Sequence, residues 1–300
     1  MRTVYLGTSE FAAEVLSRLA LSPHRPELVI TRPDRPRGRG RKLTQPPVAA
    51  AANRLGIQSF QPEDVNSEES RERIAAIEPE AVSICAYGAL IKEPLLSEQE
   101  LVNVHPSLLP RWRGAAPIER AIEAGDEETG VTIMRPTAEL DAGPMGLQRG
   151  EPIHPDDDYG TLASRLAVLG GELLVEALDD PPSWREQPDQ GVTYAEKIER
   201  GDRRIEPGRP AQELERRVRA LTPHVGAFLE LPSGERLGLR RVAPSAEGAG
   251  LDEAALSVRD GRLLLGTASG ALELVEVQPQ GGRPMGAGDW LRGRGAAVLG

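Results

Sequence analysis

The chain has 300 residues, 39% hydrophobic and 27% charged, with 36 Lys and Arg against 46 Asp and Glu, a formal net charge of −10. That length exceeds one comfortable core and predicts two domains; the composition fits a soluble globular protein, and the acidic balance argues against generic nucleic-acid binding. The longest apolar stretch, residues 81–91, is far short of a bilayer span, the N-terminus has no signal-peptide pattern, and a single cysteine, Cys85, cannot form an internal disulfide, so no membrane partner and a cytoplasmic location are expected.

In chain order, residues 3–7 read as a buried strand around Val4-Tyr5-Leu6. A helix over residues 11–19 follows, with Phe11, Val15 and Leu19 at four-residue spacing. A short strand at residues 28–30 runs into RPDRPRGRGRK (residues 32–42), where six cations accompany one anion. Charge runs of this kind are usually solvated turns, yet one on an acidic protein can attract a polyanion locally. Residues 46–55 read as a helix with proline in its first turn. Asn66 and Glu69 form a capping-box pattern opening a helix through Ile77. Residues 81–87, 101–105 and 130–135 read as strands.

A long helix over residues 159–178 carries the stripe Leu162, Leu166, Leu169 and Leu173; within it Gly170 and Gly171 each cost about 1 kcal/mol relative to alanine. Asp156, Asp157 and Asp158 ahead of it fit capping and the helix N-terminus better than a cation site. Alternation of this kind predicts an α/β fold: a Rossmann-like, mainly parallel sheet forming a catalytic domain over residues 1–180. Residues 181–205, rich in Pro and Gly, read as a linker. In residues 206–300 a helix (211–221) precedes short strands broken at Ser233-Gly234, Asp260-Gly261 and Ser269-Gly270, with Leu237/Leu239 and Leu263/Leu265 alternating between. A small OB-like β-barrel is expected there. This C-terminal part is neutral, so the whole negative charge lies in the first 205 residues.

The chemically informative stretch is VNVHPSLLPRWRGAAP, residues 102–117. Asn103 and His105 are two apart on a strand and leave the same face, and Pro106 keeps His105 extended. The carboxyl edge of a parallel sheet is where open α/β folds place ligands. An amide N–H and a ring N–H converging on a carbonyl oxygen would stabilise the alkoxide that forms when an amine attacks. Asp141, following the strand that ends near Arg135, can return to that edge and help remove the amine proton. Zinc-ligand spacing around His105, a Gly-x-Ser-x-Gly elbow and a dinucleotide fingerprint at Gly7-Thr-Ser-Glu are all missing, so no metal is expected. Read bare, Asn-x-His is more often an ordinary strand end with a hydrogen-bonded histidine.

The longer pattern resembles the 10-formyltetrahydrofolate-dependent formyltransferases over almost the entire chain: Pro33-Asp-Arg-Pro-Arg-Gly-Arg-Gly40, Gln61-Pro62, Ala86-Tyr-Gly88, residues 103–118, Gly130-Val-Thr-Ile-Met134, Leu140-Asp141 and Thr193-Tyr-Ala-Glu-Lys197. The resemblance implies that Asn103, His105 and Asp141 are catalytic and that Ser107, Leu108, Leu109 and Pro110 contact the folate. It also implies that the basic loop, with Arg35, Arg37, Arg39, Arg41 and Lys42, grips the acceptor end of a tRNA, Arg39 lying near the reaction. The implied donor is 10-formyltetrahydrofolate, the acceptor initiator methionyl-tRNA, the C-terminal barrel a further RNA contact, and the enzyme a monomer. Formyl transfer to a small amine, formate release to water and a non-catalytic RNA-binding role are the alternatives. Trp112 fits stacking on a base or pterin as well as rim packing; Cys85 fits packing, and His24, His154 and His224 receive no role. The family pattern Gly-Leu-Asp-Thr-Gly-Asp is here Glu139-Leu-Asp-Ala-Gly-Pro144, and Ser9 stands where proline is usual.

Overall fold

A computed structural model describes residues 1–37, 40, 42–248 and 250–294. The chain forms two compact units. One comprises Met1–Pro117, Glu128–Pro152 and Ala163–Ala195; the other comprises Ile118–Glu127, Ile153–Leu162 and the described residues from Glu196 onward. The crossing at 195/196 falls inside the stretch expected to be a linker, but residues 181–195 belong to the first unit, where Arg185 bridges Met145.

The first unit is built on seven strands: β1 (Thr3–Gly7), β2 (Leu28–Ile30), β3 (Gln58–Phe60), β4 (Ala81–Cys85), β5 (Leu101–His105), β6 (Glu128–Met134) and β7 (Met145–Pro152), in the order β7-β6-β5-β4-β1-β2-β3. Strands β3, β2, β1, β4 and β5 run parallel, and β6 and β7 add antiparallel. Every residue of β1, β2 and β4 is buried. This is why they read as mainly apolar runs, with Thr3 and Ser83 the polar exceptions: a parallel strand covered on both faces has no polar side to alternate. β7 gave no such signal, because Met-Gly-Leu-Gln-Arg-Gly-Glu-Pro sits at the sheet edge and half of its residues are exposed.

Helix Glu10–Ala20 is capped by Ser9, whose hydroxyl accepts from the Ala12 N–H, so the departure at position 9 serves as a cap. The helix expected to open at Asn66 opens one residue later: Ser67 is the cap of Glu68–Ala75, and Asn66 instead donates to Asp64 and the Leu90 carbonyl. In helix Tyr159–Asp179 the glycine pair proves to be a contact surface. A Cβ at Gly170 would lie 2.9 Å from Val104 Cγ1, and one at Gly171 would lie 2.6 Å from Arg18 Cβ. The propensity lost there is exchanged for close packing on β5, the strand that carries Asn103 and His105. Gly170→Val is therefore expected to lower the unfolding free energy by about 1–3 kcal/mol through overpacking, read by denaturant titration; an unchanged midpoint would mean the helix has room to move.

In the second unit Asp158 accepts from the Thr161 N–H, in keeping with a capping role for the acidic triplet. Helix Ala211–Leu221 precedes an antiparallel sheet of β8 (Ala227–Glu230), β9 (Arg236–Ser245), β10 (Leu256–Arg259), β11 (Arg262–Gly266), β12 (Ala271–Pro279) and β13 (Met285–Gly286). The order is β8-β9-β12-β11-β10, with β13 beside β12. Leu237, Leu239, Leu263, Leu265, Leu272 and Leu274 form one core with Leu214, Val218 and Leu221 of the helix. The end strands β8 and β10 are not paired with each other among the described residues, so the sheet is antiparallel without recorded closure into a barrel. No helix is long and apolar enough to cross a membrane among the described residues.

Candidate active site

A cavity of about 430 Å³ opens at the carboxyl edge of β4 and β5, wholly within the first unit. Its walls are residues 86–91 after β4, residues 103–106 at the end of β5, Gly114, Ala115 and Pro117, and the loop carrying Pro136, Thr137 and residues 139–141 between β6 and β7. Leu90 and Leu140 stand at its rim, both well exposed. The volume and the apolar lining with few polar groups match small-molecule sites in general. Cys85 ends β4 but does not line the cavity; burial pushes its thiol up to about 12, which fits packing.

The structure brings Asn103, His105 and Asp141 to this one cavity. His105 Nδ1 lies 3.7 Å from Asp141 Oδ2. The other ring nitrogen, Nε2, is 2.9 Å from the Trp112 carbonyl. A carbonyl only accepts, so Nε2 carries a proton and Nδ1 is the nitrogen whose protonation can change. Neutral, Nδ1 offers a lone pair; protonated, it offers an N–H beside a carboxylate. Asn103 is half-buried, and its amide has no hydrogen-bond partner in the protein among the described residues. It is free for a ligand.

Asp141 is held tightly. Its Oδ2 accepts the Gly114 N–H at 2.8 Å, and Gln187 Nε2 donates to the carbonyls of Asp141 and Gly143, each at 2.8 Å. Gly143 closes the loop: a Cβ there would lie 1.9 Å from the Arg135 carbonyl oxygen, an approach only glycine permits. Asp141 (φ 47°), Trp112 (φ 65°) and Ala86 (φ 41°) all adopt left-handed backbone, three of the six described non-glycine residues that do. Such conformations cost roughly 1–3 kcal/mol each and persist where surrounding contacts enforce them; two of these three flank the His105 ring.

Ser107, Leu108, Leu109 and Pro110 do not line the cavity. Ser107 and Leu109 are buried: Ser107 Oγ donates to the Arg111 carbonyl, Leu109 N–H donates to Thr132 Oγ1, and Gln148 donates to the Leu109 carbonyl. Leu108 packs over Gly130. The segment thus forms the turn that returns Trp112 to His105. Of the basic loop, Arg35–Arg37 and Lys42–Thr44 form a two-stranded hairpin with Arg35 and Lys42 exposed. Arg39, Arg41 and the side chain of Arg37 lie outside the described residues. Reading side chains alone missed the Trp112 carbonyl, the Gly114 N–H, Gln187 and both apolar walls. Trp112 and Gly114 lie within the quoted segment 103–118, Ala86–Gly88 and Leu140 of the walls lie in quoted motifs too, and Thr193 opens another; its hydroxyl accepts the Trp112 N–H at 2.9 Å.

A doubly flanked imidazole beside an unpartnered amide is a centre suited to acyl transfer, and family comparison agrees. Residues 1–178 match the formyl transferase family and residues 197–295 its C-terminal domain. The chain belongs to the formyl transferase family. Within it, this chain is 44% identical over 301 residues to the methionyl-tRNA formyltransferase of Halorhodospira halophila, covering 98% of this chain and 96% of that one. It is 43% identical over 310 residues to the methionyl-tRNA formyltransferase of Methylococcus capsulatus, covering 99% and 98%. Among solved structures the fold is similar to HypX from Aquifex aeolicus in complex with tetrahydrofolic acid, with a TM-score of 0.66 at 17% identity. That match covers 99% of this chain and 48% of HypX, so the chain spans about half of that protein.

Proposed function

We propose that this chain transfers the formyl group of 10-formyltetrahydrofolate to the α-amine of initiator methionyl-tRNA, acting as a cytoplasmic monomer. The observation that carries the chemistry is the meeting of His105, Asp141 and the unpartnered Asn103 amide in one cavity. The near-full-length relatives named methionyl-tRNA formyltransferase support the acceptor. The donor is a co-substrate whose flat pterin suits the apolar walls around Leu90, Ile91 and Leu140; residues 107–110 support it from behind, by shaping the turn.

The reaction forms one bond and breaks another. The amine nitrogen attacks the formyl carbon, the bond from that carbon to N10 of the folate breaks, and the proton lost by the amine replaces the formyl group on N10. Asn103 Nδ2–H and protonated His105 Nδ1–H donate to the formyl oxygen as it becomes negative, and Asp141 provides the counter-charge. Donors fixed before the reaction act on the transition state more than on the ground state. We also propose that the second unit curls into the OB-like form; the register shifts of β9 around Arg241 supply the bend such a barrel requires.

Labelled formyl donor offered in parallel with charged initiator tRNA, charged elongator tRNA, a sugar-nucleotide amine and water alone tests the acceptor. Product should form with initiator methionyl-tRNA; product with the sugar amine or with water instead would overturn the assignment. Neutralising Arg35, Arg37, Arg39, Arg41 and Lys42 together should raise KM for the tRNA. It should also flatten the salt dependence, by about 0.7–0.9 in the log–log slope for each phosphate the loop no longer neutralises. Arg35 and Lys42 are without an ion pair among the described residues, so they are available to phosphate. An unchanged slope would remove the loop from the RNA interface.

A further inference from the structure

Both neighbours of the His105 ring are held from one stretch, residues 181–195, in the first unit. Thr193 accepts the Trp112 N–H on its hydroxyl and the Arg113 N–H on its carbonyl, each at 2.9 Å, and Tyr194–Ala195 pairs with Arg113–Gly114 as a short parallel ladder. This fixes the left-handed Trp112, whose carbonyl accepts the hydrogen bond from His105 Nε2–H. Six residues earlier, Gln187 does the equivalent for Asp141. Its Oε1 accepts from Arg113 Nε at 2.9 Å, and its Nε2 spans the Asp141 and Gly143 carbonyls. The amide orientation is settled by its neighbours: guanidinium only donates and carbonyls only accept, so neither end can be exchanged.

We propose that Gln187 and Thr193 are positioning residues for formyl transfer, Gln187 setting the Asp141 carboxylate against His105 and Thr193 setting the Trp112 carbonyl that selects the ring tautomer. The inference rests on the reading of His105 and Asp141 as the reacting pair. Neither residue lines the cavity, so both act through their neighbours. Displacements of about 1 Å in a reacting constellation can cost a hundredfold in rate, and each residue holds a loop whose backbone is left-handed and would relax without it.

The test compares Gln187→Leu, Gln187→Glu, Thr193→Val and Thr193→Ser with the wild type by steady-state formylation of methionyl-tRNA and by the 15N resonances of the His105 ring. Gln187→Leu should lower kcat about tenfold to a hundredfold with KM for tRNA unchanged. Gln187→Glu should lose most at neutral and higher pH, where a carboxylate faces two carbonyls. Its deficit relative to wild type should narrow as pH falls towards the carboxyl range, because a protonated side chain regains one donor. Thr193→Val should lower kcat without that pH dependence, and Thr193→Ser should restore it. The ring resonances should move in Gln187→Leu and Thr193→Val and return in Thr193→Ser. Folded variants with wild-type kcat and unmoved ring resonances would overturn the proposal; if Gln187→Leu does not fold, the Thr193 pair decides it. A wild-type protein inert towards methionyl-tRNA would defeat the proposed reaction separately, while the ring resonances would still report on the clamp.

Discussion

Asn103→Ala should fold as the wild type does and lose a hundred- to a thousandfold in kcat, about 3–4 kcal/mol, the usual consequence of removing one donor from an oxyanion site. The fold should survive because the Asn103 amide serves no protein group among the described residues, so truncation orphans nothing. His105 needs more care. It is buried, and alanine there would leave a cavity and remove the Nε2 donor to the Trp112 carbonyl. Glutamine is the better probe, since its terminal amide nitrogen can replace Nε2 towards Trp112 while nothing replaces Nδ1. His105→Gln is therefore expected to keep its melting temperature and lose rate on a similar scale. Because these donors act on charge that exists only in the transition state, kcat and kcat/KM should fall by the same factor in each variant. Separate measurement of kcat and KM with methionyl-tRNA checks this. Near-normal turnover in both variants would leave the oxyanion proposal without donors.

How much of this was legible in the sequence depends on what kind of group carries each role. The parallel strands were, because Val4-Tyr5-Leu6 and residues 81–85 are covered on both faces and therefore almost wholly apolar, with Ser83 the one polar residue. The second sheet was as well: Leu237/Leu239 and Leu263/Leu265 alternate into one core, and Gly234, Gly261 and Gly270 of the expected turns all have positive φ. Barrel closure was not, since it depends on long-range pairing that strand patterns do not encode. Nor was the helix Pro117–Ala124, because its first residues fall within a motif read for chemistry alone. At the site, Asn103 and His105 could be paired from their two-residue spacing, and Asp141 from its place after a strand. The groups that fix them could not. Trp112 and Gly114 contribute backbone atoms, whose roles do not follow from side-chain identity. Gln187 lies 46 residues from Asp141, in a Pro- and Gly-rich stretch without periodicity, and only the folded chain gives its amide a purpose. Gly170-Gly171 were visible as a helical cost, whereas the compensating contact with Val104 lies on a different element.

Asp141→Asn is the second large effect, and it separates charge from shape. Asparagine is one of the few residues that tolerate left-handed backbone, so the φ of 47° should persist. Its carbonyl oxygen can still accept the Gly114 N–H, and Gln187 binds only backbone, so both anchors remain. What disappears is the negative charge facing His105 Nδ1 across 3.7 Å. Without it, the protonated ring has no counter-charge and the amine proton no anionic acceptor nearby. A loss on the order of a hundred- to ten-thousandfold in kcat is expected, the range associated with positioned acid–base groups, with an unchanged melting curve. Asp141→Ala should lose comparable activity and stability besides, because the Gly114 N–H then has no acceptor. If Asp141→Asn turned over at the wild-type rate while Asp141→Ala did not, the carboxylate would be a buttress for Gly114 alone, and the proton would have to leave the amine by a route that does not involve the imidazole's counter-ion.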